Sequence, residues 1–460
     1  MIKDSAGMNI VIVGAGKVGS AIAMELAKEK HDLTVIDVNA DKINEISNTL
    51  DVITLNGNGA SYDTLREAGA DKADLLIAIT GADEINLLCC ITARKLGAAH
   101  TIARVRNPEY DRQMFFLREE LGLSLAINPE QAAADEISRL LSLPSASRVD
   151  SFSRGGLELA EFRVTPESKL DGMALSNLQT LCKAKVLVCA IERDEKVYIP
   201  KGSFVLKAMD KLNIIGASNE VYSFFNNIGA LRHRIKNVVI LGGGKISIYL
   251  AKQIIDIGMK VKVIEQKAER CAELKKAVPK ASVILGNGTK PELLTEEGIG
   301  DADAFIALTG YDENNIITAL YAASQGAGKV IVKVNESHII KMMSGMQLDS
   351  FVQPKQLVSQ RIIQYVRAMQ NAYGISVETL YPLFDGRIEA LEFIVSSSFK
   401  YINKPLKSLP IRQGVLVAAI NRGRRSFIPN GEDYLAEGDS VVVVSDTRGM
   451  QRLEEIVTAV

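Results

Sequence analysis

Residues 9–27, NIVIVGAGKVGSAIAMELA, are matched at 237–255 by NVVILGGGKISIYLAKQII, and the segments downstream of the first recur downstream of the second. VIDVNADK at 35–42 returns as VIEQKAER at 263–270, and LNGNG at 55–59 returns as LGNG at 285–288. ITGADEIN at 79–86 returns as LTGYDENN at 308–315, and ARV at 103–105 as VKV at 332–334. The offset between copies stays at 228 or 229 residues. Such a chain folds as two copies of one unit, and its function must make use of the pair.

Within each copy, short apolar strands alternate with helical segments, the pattern of a parallel sheet covered on both faces. Strands are predicted at Ile10–Val13, Leu33–Ile36, Val52–Leu55, Leu75–Ile79 and Thr101–Val105. Val18, Ile22 and Leu26 recur at four-residue spacing and give the first helix one buried face. Asn128-Pro129-Glu130 reads as an N-cap, a first-turn proline and an early acid, opening a helix that runs to about Leu141. From about residue 150 the pattern becomes that of a smaller α+β unit: a strand LELAEFRV, a helix GMALSNLQTLCKAK and a hairpin VLVCAIERDEKVYIP. The second copy repeats the change with ALEFIV, the hairpin VLVAAINRGRRSFIP, VVVVSD and a last helix.

The fold class expected is α/β: two Rossmann-like, doubly wound parallel sheets, each followed by a small α+β domain. The large units are placed at 8–128 and 236–352, connecting helices at 129–147 and 353–373, and small units at 148–231 and 374–460, with the halves joined near Arg232–Lys236.

At 460 residues one core does not suffice, and a net charge of −1 excludes the basic surplus of a nucleic-acid binder. No apolar run approaches the ~18–20 residues of a membrane span. The opening MIKDSAG lacks the apolar stretch of a signal peptide. Five cysteines without CxxC spacing read as free thiols in a reducing compartment, and four histidines show no metal spacing. The chain is expected to be soluble and cytoplasmic.

Gly14, Gly16 and Gly19 form G-x-G-x-x-G between a strand and a helix. The first glycine suits a tight turn, the second close approach of backbone to a pyrophosphate, and the third close packing of helix on strand. Phosphate then meets free N–H groups at the positive helix end, beside Lys17 and Val18. Asp37 follows Gly19 by 18 residues, where a carboxylate accepts hydrogen bonds from ribose hydroxyls and repels a 2′-phosphate. NAD is therefore favoured over NADP. The second copy has Gly242, Gly243 and Gly244, then Ser247 at the third glycine position and Glu265 in place of Asp37. It is either a second nucleotide site or a degenerate structural copy.

Lys17 and Lys245 hold the same place after the second glycine and either reach phosphate or stand solvated on the first turn. Asn58 and Asn287 lie past the third strand, as adenine contacts or as Asn-Gly turn residues. Thr80 and Thr309 end the fourth strands beside the crevice, and Asp83 and Asp312 are candidate caps of the helices that come next. Arg104 and Lys333 end the fifth strands on the ligand side of the sheet, as phosphate partners or members of surface ion pairs. The basic turn Arg422-Gly423-Arg424-Arg425 reads as a solvated hairpin tip without a counterpart in the first copy. A dehydrogenase needs a proton donor or acceptor beside the nicotinamide. His31 and His100 precede strands, His233 lies in the joint, and His338 has Glu109 as its counterpart, so no duplicated acid–base chemistry emerges. A cofactor crevice without catalysts reads as a sensor. The alternative is an NAD-dependent oxidoreductase with duplicated modules.

GAGKVG, VID, NGNG, TGADEIN and ARV, set in a tandem large–small layout over residues 8–460, resemble the TrkA family. Its members are peripheral regulators of Trk-type potassium uptake, built of RCK (regulator of K⁺ conductance) N- and C-terminal domains. The resemblance implies a cytoplasmic ring, a homotetramer of eight RCK units, docked beneath a potassium-translocating membrane protein of the TrkH or TrkG type. It implies NAD(H) and the adenine nucleotides ATP or ADP in the crevices, with Gly14, Gly16 and Gly19 at phosphates, Asp37 at ribose, Asn58 at the base and Arg104 near phosphates. Lys17, Val18 and Thr80 complete the first set. Gly242, Gly244, Lys245, Glu265, Asn287, Thr309 and Lys333 form the second, whose ligand Ser247 leaves open. No nucleic-acid partner is implied.

Overall fold

The computed structural model describes residues 7–29, 31–107, 110, 113, 120–152, 156–230, 235–343, 348, 350–371, 377–384, 386–423, 425–447, 449–450 and 452–458. Arg232 and His233 of the joint, Glu109, and Arg424 of the basic turn lie outside the described residues.

The first large unit carries β1 (Asn9–Val13), β2 (Asp32–Asp37), β3 (Ile53–Asn56), β4 (Leu75–Ala78), β5 (His100–Arg104) and β6 (Leu125–Ile127). They lie side by side in the order β3-β2-β1-β4-β5-β6, all parallel. The order reverses between β1 and β4, which opens a crevice at the carboxyl ends of those strands. Val and Ile runs suit this sheet because both faces are covered: Ile10 to Val13 and all of β4 are buried. Helix Lys17–Lys28 buries Val18, Ile22 and Leu26 as its spacing requires.

A first small sheet comes next: β7 (Ala146–Ser151), β8 (Leu157–Arg163), β9 (Val186–Arg193), β10 (Lys196–Tyr198) and β11 (Lys211–Ala217). It is antiparallel, in the order β10-β9-β11-β8-β7. The second half repeats the plan. Strands β12 (Asn237–Leu241), β13 (Lys260–Glu265), β14 (Ser282–Leu285), β15 (Ala304–Ala307), β16 (Lys329–Lys333) and β17 (Phe351–Val352) run in the order β14-β13-β12-β15-β16-β17. Strands β18 (Val377–Leu383), β19 (Ile388–Ile394), β20 (Val415–Arg422), β21 (Arg425–Phe427) and β22 (Ser440–Ser445) form the last sheet, β18-β19-β22-β20-β21.

The expected N-cap at Asn128 is present: its side chain accepts the Glu130 and Gln131 N–H groups at 3.1 and 3.0 Å. The helix it opens, Pro129–Ser142, stops two residues before Pro144, and β7 begins inside the segment assigned to the connecting helix. Two other expected helices are shorter. GMALSNLQTLCKAK forms a 3₁₀ turn, Leu175–Asn177, and a one-turn helix, Leu178–Cys182, which Lys183 ends in left-handed backbone at φ 48°. The last helix is a 3₁₀ turn, Leu453–Ile456, which buries only Leu453 and Ile456.

The halves exchange their connecting helices. Ile137, Leu140 and Leu141 of helix Pro129–Ser142 share one apolar cluster with Tyr249, Leu250 and Ile254 of helix Lys245–Asp256 in the second unit. Conversely, Val358, Ile362 and Val366 of helix Pro354–Asn371 join Val18, Ile22 and Leu26 of the first unit. Polar contacts fix both crossings. Asn128 Nδ2 donates to Tyr249 Oη at 2.9 Å, Gln253 Nε2 to Asp135 Oδ1 at 2.7 Å, and Arg367 pairs with Glu29. The two small sheets also pack on each other, with Phe152 edge-on to Tyr381 at 5.2 Å and Tyr381 Oη donating to the Ser151 carbonyl at 2.6 Å. Each helix that follows a glycine turn is thus backed by the other half of the chain.

Candidate functional site

In the first crevice Gly14 adopts φ 111°, open to glycine, and its N–H donates to the Ile36 carbonyl at 2.8 Å. A Cβ on Gly19 would fall 1.8 Å from the Gly14 carbonyl oxygen, so helix and turn touch there. Gly16 differs: a Cβ on it would meet nothing within 4 Å, so its backbone faces open space. Helix Lys17–Lys28 starts at Gly16 with no side-chain cap. Its first N–H groups are available to an anion, which is what a pyrophosphate requires. Val18 turns its side chain into the core and belongs to the site only through its backbone.

Asp37 supports this turn. Its Oδ2 accepts the Ala15 N–H at 2.7 Å and its Oδ1 the Asn39 N–H at 2.8 Å. A carboxylate has room for about four acceptor contacts, so capacity for ribose hydroxyls remains. Asn58 is exposed, and its Oδ1 accepts the Ala60 N–H at 3.0 Å, so it serves the turn. Asn287 does the same for Thr289 at 3.1 Å.

The second crevice keeps the turn with altered chemistry. Gly242 adopts φ 102°, and Gly244 opens helix Lys245–Asp256, again without a side-chain cap. Ser247 is fully buried, and its hydroxyl donates to the Gly242 carbonyl, the group that Gly19 approaches bare in the first copy. Glu265, longer than Asp37 by one methylene, reaches the Gly243 N–H at 2.7 Å and the Lys267 N–H at 2.8 Å. Gly243 makes room for it: a Cβ there would sit 2.4 Å from Leu274 and 3.0 Å from Glu265. Ala15 with Asp37 and Gly243 with Glu265 are therefore matched pairs.

The sequence passes over Asn86 and Asn315, both fully buried. Asn86 Oδ1 accepts the Thr80 N–H at 2.7 Å and hydroxyl at 2.8 Å, and its Nδ2 donates to the Arg104 carbonyl at 2.9 Å. Asn315 makes the same bonds to Thr309, at 2.8 and 2.7 Å, and to Lys333 at 3.0 Å. Their signal was the asparagine that ends both TGADEIN and TGYDENN. Asp83 and Asp312 are not caps. They begin helices whose N-caps are Ala82 and Tyr311, and their carboxylates instead hold the loops after β5 and β16. Asp83 accepts the Arg106 and Asn107 N–H groups at 2.8 Å, and Asp312 those of Asn335 and Glu336 at 2.7 and 3.0 Å.

Arg104 folds back to donate to the Thr80 carbonyl, while its buried Nε has no hydrogen-bond partner among the described residues. Burial, then the neighbouring Arg106, lowers its pKa from the ordinary arginine value. Burial likewise lowers Lys333. Glu130, at the start of the connecting helix, is pushed up by burial, and Arg106, Lys245 and Arg104 oppose the rise. Lys17 pairs with Glu336 of the other half; that hydrogen bond raises the lysine and depresses the glutamate. Arg422, placed in a turn without a counterpart, does have one. It pairs with Asp439 at 2.8 Å as Arg193 pairs with Asp210 at 2.6 Å.

The family model described as the TrkA-N domain matches residues 10–129 and 238–354, and that of the TrkA-C domain matches 159–229 and 390–458. A Trk system potassium uptake protein TrkA homolog of Archaeoglobus fulgidus is 34% identical over 449 residues, covering 98% of this chain and all of that protein. The fold is similar to that of the GsuK channel bound to NAD, with TM-score 0.62 and 17% identity over 97% of this chain and 78% of that one. It is also similar to GsuK bound to ADP, with TM-score 0.51 and 14% identity over 80% and 71%.

Proposed function

This chain belongs to the TrkA family, and from that premise we propose that it is a nucleotide-sensing regulatory subunit that gates a Trk-type potassium transporter, not an enzyme. NAD(H) and adenine nucleotides are its ligands. The solved relatives carrying NAD and ADP share its fold, and both crevices offer the glycine turn, the open helix start and the acidic residue that such ligands need.

The observation that carries the reading is the exchange of connecting helices. Helix Lys17–Lys28 faces the first crevice with its start and packs on helix Pro354–Asn371 with its apolar face. Helix Lys245–Asp256 does the same with helix Pro129–Ser142. A nucleotide drawn onto either helix start therefore pulls on a helix seated against the other half. It shifts gating only by binding one arrangement more tightly than the other. Coupling of about 1–3 kcal/mol per site is usual, while about 5.5 kcal/mol moves an equilibrium from 1:99 to 99:1. Duplication, and assembly into a homotetramer of eight units, multiplies the sites that contribute.

No helix among the described residues is long and apolar enough to cross a membrane. The chain then acts from the cytoplasm, peripheral to the inner face of the membrane through a TrkH- or TrkG-type partner. The boundaries of the large and small units and the roles of Gly14, Gly16, Lys17, Asp37, Thr80, Arg104 and their second-half counterparts are part of this proposal. Three measurements test it. Calorimetric titration of the full chain with NADH and ATP should give saturable heat, and co-purification with a Trk-type membrane subunit should respond to nucleotide. Steady consumption of NADH with a carbonyl substrate would overturn the regulatory reading in favour of an oxidoreductase.

A further inference from the structure

Lys17 and Lys355 come from different halves of the chain and converge on one carboxylate oxygen. Glu336 Oε1 pairs with Lys17 Nζ and lies 3.9 Å from Lys355 Nζ. All three residues line one cavity with Ala15 and Gly16, beside the uncapped start of helix Lys17–Lys28. A protein carboxylate thus already stands among the cations of the first crevice, where an anion is favoured by both the lysines and the helix end. The lysine charges act on one another: burial and then Lys17 lower the pKa of Lys355.

The second crevice keeps the lysine after the glycine turn but changes both of its partners. Gln353-Pro354-Lys355-Gln356 aligns with Asn128-Pro129-Glu130-Gln131, so Glu130 holds the place of Lys355. Asn107 holds the place of Glu336. Glu130 and Glu84 of the first half stand within the field of Lys245, the counterpart of Lys17, and Glu130 also within that of Arg106 and Arg104. One buried Glu130 carboxylate oxygen has no hydrogen-bond partner among the described residues.

We propose that Lys355 and Glu130 set the phosphate preference of the two crevices in trans. Lys355 of the second half binds the terminal phosphates of a nucleotide in the first crevice, and Glu130 of the first half excludes such phosphates from the second. This rests on the nucleotide-binding reading of both crevices. A nucleoside triphosphate in the first crevice displaces Glu336 from Lys17 and Lys355, exchanging a carboxylate for a group with more charge and more acceptor oxygens. In the second crevice the same triphosphate would bring its charge against Glu130. The second crevice is thereby restricted to ligands with less phosphate charge.

The test separates the crevices in the full-length chain. Gly244→Asp places a carboxylate at the second helix start, where φ is −77° and any residue is tolerated, and leaves the first crevice to titrate. Gly16→Asp, at φ −71°, does the converse. ATP and AMP are titrated calorimetrically in each background. In the first crevice, Lys355→Glu should lower the ATP-to-AMP affinity ratio roughly tenfold or more, with Lys355→Gln intermediate. Glu336→Gln should raise ATP affinity and leave AMP nearly unchanged. In the second crevice, Glu130→Lys should raise the ratio by a similar factor of about ten. A ratio unmoved in both backgrounds, with both nucleotides still bound, overturns the assignment. Absence of binding by the unaltered chain overturns the nucleotide-binding reading beneath it.

Discussion

Asn86 Nδ2 donates to the Arg104 carbonyl at 2.9 Å, fastening helix Asp83–Leu96 to the end of β5. The other end of the same amide holds Thr80, so one buried side chain sets the spacing between the fourth and fifth strands at the crevice. Asn315 repeats this between Thr309 and Lys333. Removing the amide orphans buried backbone groups, each costing roughly 1–3 kcal/mol. Asn86→Ala should therefore destabilise the chain by about 2 kcal/mol or more in urea unfolding. Asn86→Asp, which keeps the acceptor for Thr80 but loses the donor to Arg104, should also destabilise it. A loss below the error of the measurement for both variants would show that the clamp is not structural.

Asp37, expected to face a ribose, is also bound to the glycine turn. Because it accepts the Ala15 and Asn39 N–H groups, its removal loosens the loop as well as taking away the acceptor proposed for ribose. Asp37→Ala should weaken NADH binding at least roughly tenfold, the value of one charge-assisted bond, while the fold survives. Calorimetry reads the affinity and circular dichroism the fold. An unchanged affinity would remove Asp37 from the site.

The parts of the fold set by local pattern were legible in the sequence. Alternating apolar strands, the glycine turn after β1 and the Asn128 cap each rest on neighbouring residues, and the structure places them within a residue or so of expectation. The strands β6, β7, β17 and β18 were not expected, and β17 spans only two residues, too few to show a period of two. Helix exchange was out of reach for another reason. Ile137 and Val358 read as buried faces, but no sequence period says that their partners lie across the repeat. The same limit hid Glu336 and Lys355, whose roles depend on Lys17 more than three hundred residues away in the chain.

Gly19 and Ser247 sit at equivalent positions and should respond oppositely to exchange. A side chain at Gly19 would collide with the Gly14 carbonyl, whereas Ser247 uses its hydroxyl to bond the corresponding carbonyl of Gly242. Gly19→Ser should push the first helix off its turn, costing about 2–4 kcal/mol and most NADH binding at the first crevice. Ser247→Ala should cost only about 1 kcal/mol, the net worth of one hydrogen bond. Equal costs for the two, measured by denaturant unfolding, would refute the difference in helix packing.

The exchange of helices carries its own acid sensitivity through Glu29 and Arg367. Glu29 ends helix Lys17–Lys28, and Arg367 reaches it from the connecting helix of the other half. Burial resists ionisation of Glu29, but His31 at 3.7 Å and the hydrogen bonds and charge of Arg367 outweigh it and hold the carboxyl below its usual value. A folded-state pKa depressed in this way stabilises the fold at neutral pH. That contribution disappears as pH falls through the folded value, below the usual glutamate value of about 4.3. At pH 7, Glu29→Gln should lower the melting temperature by an amount equivalent to about 1–2 kcal/mol. As the buffer is taken down through and below the depressed folded value, the two proteins should converge, because the unaltered chain then carries a neutral carboxyl as well. Arg367→Ala should show the same convergence. A gap that holds constant or widens in acid would mean that the Glu29 charge does not fasten the first helix to its partner.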